Sequence, residues 1–310
     1  MIDTAFVFPG QGTQKVGMGL DLSSNFAEAD LVFEEANSIL NWDLRNLCFN
    51  GPIEDLTQTE NAQLAILTCS IASLRVVQNF GISARMVAGH SLGEYAALIA
   101  AEVMDFSSAL KLVQFRSKFM AEAAARTTGS MIAIIGLEEN KIKKICDQMD
   151  GIISIANFNS PSQYIISGET QSLEESIPLV KSAGAKRVIP LHVSGAFHSD
   201  LMISAQKQFR SVICNYIFGE PKIDFVANTT GNLIKTSKEI KELLIKQITN
   251  PVLWEKSIQL MKGTGISHFI ELGPGTILSG LIRRIGDGSI CFNVEDMKSF
   301  ERTLNGTNAA

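Results

Sequence analysis

Two kinds of hydrophobic pattern alternate along the first 127 residues of the chain. Short runs of consecutive apolar residues are typical of buried strands, whereas an apolar residue at every third or fourth position is typical of a helix. Strands that alternate with helices in this way predict an α/β fold around a mainly parallel sheet. The predicted strands are residues 4–8 and 84–88, and the predicted helices are residues 25–40, 60–80, 92–102 and 106–126.

The pattern changes between residues 128 and 194, where the predicted elements follow the order βαββαβ of a ferredoxin-like unit. Small and polar residues border this segment on both sides. We therefore interpret residues 128–194 as a ferredoxin-like subdomain inserted into a large α/β-hydrolase-like catalytic domain of residues 1–127 and 195–310. Residues 305–310 are predicted to form a frayed tail. The predicted strands of the insertion are residues 130–136, 152–157, 163–167 and 187–193, and its predicted helices are residues 138–149 and 171–182.

The composition of the 310 residues favours a globular protein with a large core. Hydrophobic residues make up 45% of the chain and charged residues 19%, and the net charge of -5 argues against general nucleic-acid binding. The sequence lacks both a secretion signal at its start and an apolar run of about eighteen residues that would predict a membrane span. The five cysteines are scattered, which is typical of reduced thiols that pack as small apolar side chains. We expect a cytoplasmic monomer that binds neither nucleic acid nor membranes.

Residues 89–93, Gly-His-Ser-Leu-Gly, carry the most specific chemistry of these patterns. They lie between a predicted strand and a predicted helix, where a Gly-x-Ser-x-Gly pattern is typical of a nucleophile elbow. Such a turn exposes the Ser91 hydroxyl at the edge of the sheet, and the flanking glycines allow close packing. The N–H group of Leu92 begins the helix, where it can stabilise developing negative charge. A strand–helix turn in which serine merely caps the helix is the alternative interpretation.

A serine nucleophile needs a base within hydrogen-bond reach, most often histidine. His198 lies in a loop at the border of the two predicted domains, where ligand clefts concentrate, and is our candidate. His90 is adjacent to the serine and should point away from it, so we expect it to pack or to fix a loop. His192 and His268 fall in or at predicted strands, where a structural histidine is expected. No acidic residue stands out as a triad member, so the residues alone leave acyl transfer and hydrolysis both open.

Five short motifs occur at well-separated positions along the chain. They are Phe-Pro-Gly-Gln-Gly at residues 8–12, Gly-His-Ser-Leu-Gly-Glu-Tyr at 89–95, Gly-Ala-Phe-His-Ser at 195–199, Asn-Pro-Val-Leu-Trp at 250–254 and Glu-Leu-Gly-Pro-Gly at 271–275. Together and in this order they resemble the motifs of the malonyl-CoA:acyl carrier protein transacylases of type II fatty acid synthesis. The similarity extends over nearly the whole chain, and the βαββαβ insertion resembles the small subdomain of that family.

The resemblance implies roles for five residues. It assigns Ser91 as the nucleophile, His198 as the base, and the main-chain carbonyl of Gln247 as the group that orients the histidine. The family's oxyanion hole corresponds to the N–H groups of Gln11 and Leu92. A neutral orienting group would explain the missing triad acid, and it avoids a carboxylate beside an anionic malonyl group. The implied reaction is ping-pong through a malonyl-serine ester, with malonyl-CoA and holo acyl carrier protein as partners and no metal or other cofactor.

Two further residues bear on the acyl group. The resemblance pairs Arg116 with the malonyl carboxylate, which a guanidinium matches in a bidentate fork. An isolated arginine on a helix is usually solvated, but Leu112, Phe115 and Phe119 predict a largely buried helix here. A buried arginine needs a partner, and the substrate could be that partner. Phe197 resembles the form of the family that is associated with malonyl rather than branched acyl groups.

Docking of an acidic carrier protein to this acidic chain would require a local basic patch. The candidates are the pairs Lys186-Arg187 and Arg283-Arg284, which we expect to flank the cleft. Paired basic residues are more often ordinary solvated surface.

Two other functions stay open at this point. The nearer is a serine thioesterase or hydrolase, which would pass the acyl group to water; the inserted unit, Arg116 and the missing triad acid argue against it. The other is a non-catalytic acyl- or carrier-binding protein, against which the intact Ser91 and His198 argue.

Overall fold

Strands and helices alternate along the chain largely as the hydrophobic pattern predicts. The computed structural model of the protein describes residues 3–308. Its strands are β1 Thr4–Phe8, β2 Met86–Gly89, β3 Gly129–Ile135, β4 Ile153–Ser160, β5 Gln163–Glu169, β6 Arg187–Pro190, β7 Asp224–Val226, β8 Leu233–Ile234, β9 His268–Leu272 and β10 Ile290–Val294. Its α-helices are α1 Leu20–Asn25, α2 Ala27–Leu40, α3 Leu44–Asn50, α4 Ile53–Thr57, α5 Thr59–Asn79, α6 Gly93–Ala100, α7 Phe106–Ala125, α8 Glu139–Gln148, α9 Thr170–Ser182, α10 Ile203–Ile213, α11 Ser237–Gln247, α12 Trp254–Gly263, α13 Ile277–Ile282 and α14 Met297–Asn308. A 3₁₀ turn spans Asp200–Met202.

The larger sheet has the strand order β10-β9-β1-β2-β7-β8. Its neighbouring strands are parallel except for β7 and β8, which pair antiparallel. The predicted α/β fold with a mainly parallel sheet is therefore confirmed. Because β1 and β2 are adjacent and parallel, their carboxyl ends open at the same edge of the sheet, and the loops that follow them meet there.

Apolar side chains pack against both faces of the larger sheet. Successive side chains of a strand point to opposite faces, so Phe6 and Phe8 of β1 join one apolar cluster and Ala5 and Val7 join the other. Helices α2, α5, α6 and α7 cover the first face, and α12 and α13 cover the second. Burial on both sides explains why β1 is a continuous apolar run rather than an alternating one.

A separate antiparallel sheet has the strand order β4-β5-β3-β6. Along β3, Ile132 and Ile134 pack toward α8 and α9, whereas Met131 and Ala133 join the core of the larger sheet. Val252 links the two parts of the chain, because its carbonyl oxygen accepts from Phe158 N–H of β4 at 2.9 Å. One face of the smaller sheet is thus placed against the larger one.

The helix predicted for residues 25–40 is confirmed as α2, which a separate short helix, α1, precedes, whereas two other predictions of secondary structure are wrong in part. The strand predicted for residues 187–193 ends at Pro190, so His192 lies outside a strand and is exposed. The predicted frayed tail is helical as far as the description extends, because α14 packs on β10 through buried Phe300 and through Thr303, which donates to Asn293 O at 2.9 Å. Residues 309–310 of that prediction lie outside the described residues.

The cysteine prediction is correct for three of the five residues. Cys48, Cys69 and Cys146 are buried, Cys291 is half-buried, and Cys214 is exposed where it follows α10. Within residues 3–308, no helix is both long and apolar enough to span a membrane.

Candidate active site

Ser91 lies on the turn between β2 and α6, as the Gly-x-Ser-x-Gly pattern predicts. Its φ is 50°, a left-handed conformation that is uncommon for residues other than glycine. A Cβ atom on Gly89 would lie 1.9 Å from the carbonyl carbon of Gly93, and one on Gly93 would lie 2.1 Å from the carbonyl oxygen of Phe8. The two glycines therefore permit the close approach of strand and helix that the elbow requires.

His198 is brought to the serine by the loop between β6 and the 3₁₀ turn. The distance from Ser91 Oγ to His198 Nε2 is 2.8 Å. The other ring nitrogen, Nδ1, lies 2.7 Å from the main-chain oxygen of Gln247 and 3.2 Å from that of Asn250. Because carbonyl oxygens only accept, we assign the ring proton to Nδ1, which leaves Nε2 to accept the serine proton.

The surroundings of His198 keep its imidazole neutral. Burial and, to a smaller extent, the positive charge of Arg116 lower the pKa of His198 to about 3, while the carbonyl of Gln247 acts in the opposite direction. The side chain is only 4% exposed. A neutral imidazole with a free Nε2 is the form that can take a proton from a hydroxyl group.

Arg116 of α7 is buried and contacts the same serine. Its Nη2 donates to Ser91 Oγ at 3.1 Å and to Gln247 Oε1 at 2.9 Å, and its Nη1 donates to Gln63 Oε1 at 2.5 Å. The guanidinium carbon lies 5.7 Å from the centre of the Tyr95 ring. The Nε atom of Arg116 has no hydrogen-bond acceptor among residues 3–308. The cation is therefore hydrogen-bonded by neutral groups only.

The sequence argument for burial of Arg116 was right about the arginine and wrong about one of its neighbours. Phe115 is 39% exposed, and Phe119, which lies against it at 5.9 Å between ring centres, is half-buried. The buried face of α7 instead carries Leu112, Arg116 and Met120, which follow one another at the four-residue helical spacing.

A cavity of about 360 Å³ opens beside these side chains. Residues from both sheets line it, including Met131 of β3 and Ile165 of β5. Among residues 3–308, no group of three or more His, Cys, Asp or Glu side chains could hold a metal ion. The predicted site residues in the cavity wall are Gln11, Ser91, Leu92, Arg116, Phe197 and His198.

Gln11 and Leu92 lie next to the nucleophile as the resemblance implies. Neither of their main-chain N–H groups donates to an acceptor within residues 3–308. The side chain of Gln11 is held from outside the cavity by a bond from its Nε2 to Thr59 Oγ1 at 3.3 Å. Two N–H groups free of protein acceptors beside a serine nucleophile are the donors that an oxyanion hole needs.

Four functional candidates were missed by the sequence predictions. Asn228 Oδ1 accepts from the N–H of Ser91 at 2.6 Å, and Glu94, 2% exposed, lies beneath the elbow. Gln63 binds Arg116, and Asn159 lines the cavity. Glu94 and Gln63 carried a signal, because each is a polar residue within an apolar helical stretch and must find a buried partner. Nothing in the sequence around Asn228 or Asn159 distinguishes them.

The other histidines differ in their placement. His90 is held by Asn159 Oδ1, 2.9 Å from its Nε2, and its ring packs edge-on against Trp254 at 5.6 Å, as expected for a loop-fixing residue. His268 begins β9 as predicted, and its Nδ1 lies 2.9 Å from Ser267 Oγ. His192 is not a buried structural histidine but an exposed residue of the cavity wall, because β6 ends before it.

The two basic pairs are exposed and lie outside the cavity wall. Arg187 begins β6, whose continuation after Pro190 lines the cavity, and the stem of Lys186 packs over Gly136. Arg283 and Arg284 follow α13, another cavity element. Arg284 Nη1 donates to Gln163 Oε1 of β5 at 2.6 Å, and Arg283 Nη2 donates to a main-chain oxygen at 3.2 Å.

The chain has clear relatives of known name. Residues 5–301 match the family described as acyl transferase domain. The malonyl CoA-acyl carrier protein transacylase of Escherichia coli (strain K12) is 42% identical over 290 residues, which are 93% of this chain and 94% of that protein. The malonyl CoA-acyl carrier protein transacylase of Bacillus subtilis (strain 168) is 39% identical over 307 residues, which are 98% of this chain and 97% of that protein.

Solved structures of similar proteins superimpose closely. An acyl carrier protein S-malonyltransferase from Vibrio cholerae matches with a TM-score of 0.94 and 40% identity, over 97% of this chain and 99% of that one. A structure of a type II polyketide synthase acyl-carrier protein in complex with its malonyl-transacylase matches with a TM-score of 0.95 and 38% identity, over 98% of this chain and 99% of that one.

Proposed function

The chain belongs to the acyl transferase family and, within it, to the malonyl-CoA:acyl carrier protein transacylases, and on this premise we propose that it moves a malonyl group from malonyl-CoA to the phosphopantetheine thiol of acyl carrier protein. One observation carries the proposal: Ser91 Oγ lies 2.8 Å from a neutral His198 and 3.1 Å from the buried cation Arg116. The nucleophilic oxygen of Ser91 thus lies within hydrogen-bond distance of both a base and a carboxylate-binding group.

The first half-reaction loads the enzyme. Ser91 Oγ attacks the thioester carbonyl of malonyl-CoA while His198 Nε2 takes the hydroxyl proton. The N–H groups of Gln11 and Leu92 stabilise the oxyanion that forms. The carbon–sulfur bond then breaks, His198 returns its proton to the leaving sulfur, and coenzyme A departs as a thiol. The product is a malonyl ester on Ser91.

The second half-reaction repeats the chemistry in reverse order. His198 takes the proton of the phosphopantetheine thiol, and the sulfur attacks the ester carbonyl. When the ester bond breaks, the same proton returns to Ser91 Oγ. The two steps balance in atoms and charge without a metal or redox group, so we propose that no cofactor takes part.

Arg116 gives the site its preference for malonyl. The distal carboxylate of the acyl group would accept from this guanidinium, whose Nη2 lies 3.1 Å from Ser91 Oγ and which belongs to the cavity wall. Gln247 orients His198 through a carbonyl oxygen rather than a carboxylate, which spares the bound malonyl group from repulsion. Phe197, 6% exposed in the cavity wall, would restrict branching of the acyl chain.

We also propose that the chain is divided into two structural units. Residues 1–127 and 195–310 would form the α/β-hydrolase-like domain, and residues 128–194 the inserted ferredoxin-like subdomain. The order β3-α8-β4-β5-α9-β6 and the antiparallel sheet β4-β5-β3-β6 support a ferredoxin-like unit. Five unpaired cysteines support a reducing, cytoplasmic location, and we propose a monomer.

We propose that the carrier protein docks on the exposed surface beside the cavity. We assign this docking to Lys186, Arg187, Arg283 and Arg284, because each pair lies on an element that continues into the cavity wall or ends beside it. Complementary charge would steer an acidic carrier to the cavity mouth.

The test of the function is intact mass spectrometry. Malonyl-CoA should add one malonyl group to the peptide that contains Ser91, and holo acyl carrier protein should then remove it and gain the same mass. Ser91→Ala is the control and should show no adduct. An adduct that decays to free malonate with the carrier unchanged would make the protein a hydrolase. Absence of any adduct on the wild type would favour a non-catalytic binding protein.

A further inference from the structure

Glu94 is a buried carboxylate that the proposed reaction does not use. It lies on α6, one turn after the nucleophile, and is 2% exposed. One oxygen accepts from the N–H of Asn228 at 2.9 Å, and the other accepts from Nε2 of Gln247 in a short hydrogen bond. Burial raises the pKa of Glu94 to about 7, against the effect of these two donors. Such a group is costly to bury, so its contacts deserve a functional explanation.

The side-chain amide of Gln247 connects Glu94 to Arg116 by hydrogen bonds. The amide nitrogen of Gln247 donates to Glu94 and to the main-chain oxygen of Ser91 at 2.9 Å, and its oxygen accepts from Arg116 Nη2 at 2.9 Å. Glu94 and the main-chain oxygen of Ser91 both accept from the amide nitrogen, so together they determine which end of the amide faces Arg116. The amide oxygen is thereby directed at the guanidinium.

A second branch runs from Glu94 through Asn228 to the elbow. The main-chain N–H of Asn228 is held by the carboxylate, while its side chain accepts from Ser91 N–H at 2.6 Å and donates to Gly89 O at 2.5 Å. The strained backbone of Ser91 is thus fixed from below by neutral groups that Glu94 anchors.

Glu94 is neither a triad acid nor a substrate ligand. His198 Nδ1 donates to the main-chain carbonyl of Gln247, so the carboxylate is one residue removed from the histidine. The cavity wall includes Arg116 and His198 but not Glu94. Its hydrogen bonds reach the site only through Gln247 and Asn228, while its negative charge also acts directly on Arg116.

We propose that Glu94 is a positioning residue for malonyl selectivity, which orients the Arg116 guanidinium through the side-chain amide of Gln247. The proposal rests on the proposed malonyl transfer. It separates two functions of Gln247: the main-chain carbonyl serves His198 and therefore every acyl group, whereas the side-chain oxygen serves Arg116 and therefore only an acyl group with a distal carboxylate.

The test replaces the carboxylate by an amide of the same shape. In Glu94→Gln, the new side chain has one acceptor oxygen and cannot accept from both Asn228 N–H and Gln247 Nε2 as the carboxylate does. The Gln247 amide is then held less firmly, and Arg116 loses its fixed orientation. We expect kcat/KM for malonyl-CoA to fall about 10- to 100-fold, as for the loss of a charge-assisted hydrogen bond. The rate with acetyl-CoA should fall less, because acetyl has no carboxylate for Arg116 and is affected only through the Asn228 branch to the elbow.

Two further variants distinguish an effect on Arg116 from a general effect of removing a buried polar group. Gln247→Met removes the amide but keeps the main-chain carbonyl, so it should lose malonyl preference in the same way even if Glu94→Gln does not fold. Glu271→Gln is the matched control, because Glu271 is also fully buried and accepts two main-chain N–H groups, yet it contacts neither Gln247 nor Arg116. Its ratio of malonyl to acetyl rates should equal that of the wild type.

A double-mutant cycle tests the route. In an Arg116→Ala background, Glu94→Gln should not lower the ratio of malonyl to acetyl rates any further, because for selectivity the two changes remove one interaction. Equal losses for malonyl and acetyl groups in Glu94→Gln and Gln247→Met, or additive losses in the cycle, would overturn the proposal. If the wild type itself fails to load malonyl, the proposed function is wrong and this inference is wrong with it, which is a distinct result.

Discussion

Ser91 and His198 both have a left-handed backbone, with φ of 50° and 59°. Such conformations cost about 1–3 kcal/mol each and persist only where the surroundings impose them. Asn228 holds the N–H of Ser91, and the carbonyl of Gln247 holds the ring of His198. The reacting atoms are therefore positioned by buried polar residues rather than by the loops alone.

Arg116→Ala should reduce malonyl transfer far more than acetyl transfer. Removal of one partner of a buried charge pair costs about 3–5 kcal/mol, or about two to four orders of magnitude in kcat/KM, and only malonyl carries the second carboxylate. Steady-state rates with malonyl-CoA and acetyl-CoA measure the difference. Equal losses for the two substrates would show that Arg116 only supports the fold of α7.

The sequence identified single residues well where a motif or a local turn marks them. Ser91 and Leu92 follow from the elbow pattern, and His198 was the histidine chosen from its loop position. Asn228 was missed because a lone asparagine between two strands carries no local signal, and its partner, the N–H of Ser91, is 137 residues away.

At the scale of elements, Glu271 joins β9 to α13. It is fully buried near the end of β9, and its two oxygens accept from the N–H groups of Leu278 and Ser279 at 3.0 and 2.7 Å. These donors have no partner inside a helix, so the carboxylate caps the short α13 from the preceding strand. The Glu-Leu-Gly-Pro-Gly motif thus fixes one wall of the cavity.

The stability contribution of Glu271 should depend on pH. Burial raises its pKa from 4.5 to about 7, so the folded state binds its proton more tightly than the unfolded state does. This stabilisation is fully present below about pH 4.5 and is lost as the pH rises through about 7, by up to about 3 kcal/mol. Urea denaturation at about pH 5 and pH 7.5 should show that Glu271→Gln is less stable than wild type, with the smaller deficit at the higher pH. A deficit that grows with pH would contradict the assignment.

Element types were predicted more reliably than element ends. Strand β1 was placed correctly because its five residues are all buried, whereas β6 ends three residues before its predicted limit. The apolar residues that extended the prediction, Leu191 and Val193, line the cavity instead of continuing the strand. Similarly, α14 extends to Asn308 because it packs on β10, which its polar sequence did not reveal.

At the scale of the whole molecule, the active site lies between the two sheets. The larger sheet supplies Ser91 at the carboxyl edge of β2, and the smaller sheet supplies Met131 and Ile165 to the cavity wall. The cavity therefore requires both parts of the chain, and under the proposed function a carrier protein would approach where they meet.

Charge reversal on the smaller sheet tests this approach. Lys186→Glu with Arg187→Glu should raise the KM for acyl carrier protein severalfold, with the larger effect at low salt, and should leave malonyl-enzyme formation unchanged, because these residues lie outside the cavity wall. Steady-state kinetics at two salt concentrations measure both. The matched control is Lys143→Glu with Lys144→Glu on the exposed face of α8, which changes the net charge equally. An unchanged KM, or an equal rise in the control, would refute docking at the first pair.

The sequence by itself determined the local structure and the family of this protein. Hydrophobic periodicity encodes which face of an element is buried, and the spacing of glycines around Ser91 encodes a turn, because both depend on neighbours a few residues apart. Tertiary structure alone decided which distant groups meet. His198 and Gln247 lie 107 and 156 residues from Ser91. They reach it from the loop after β6 of the smaller sheet and from the end of α11, so only the packing of these distant elements against one another brings them to the serine. The buried polar network of Glu94, Gln247 and Arg116 arises in the same way, since burial and mutual distance, rather than residue type, determine its charges and contacts.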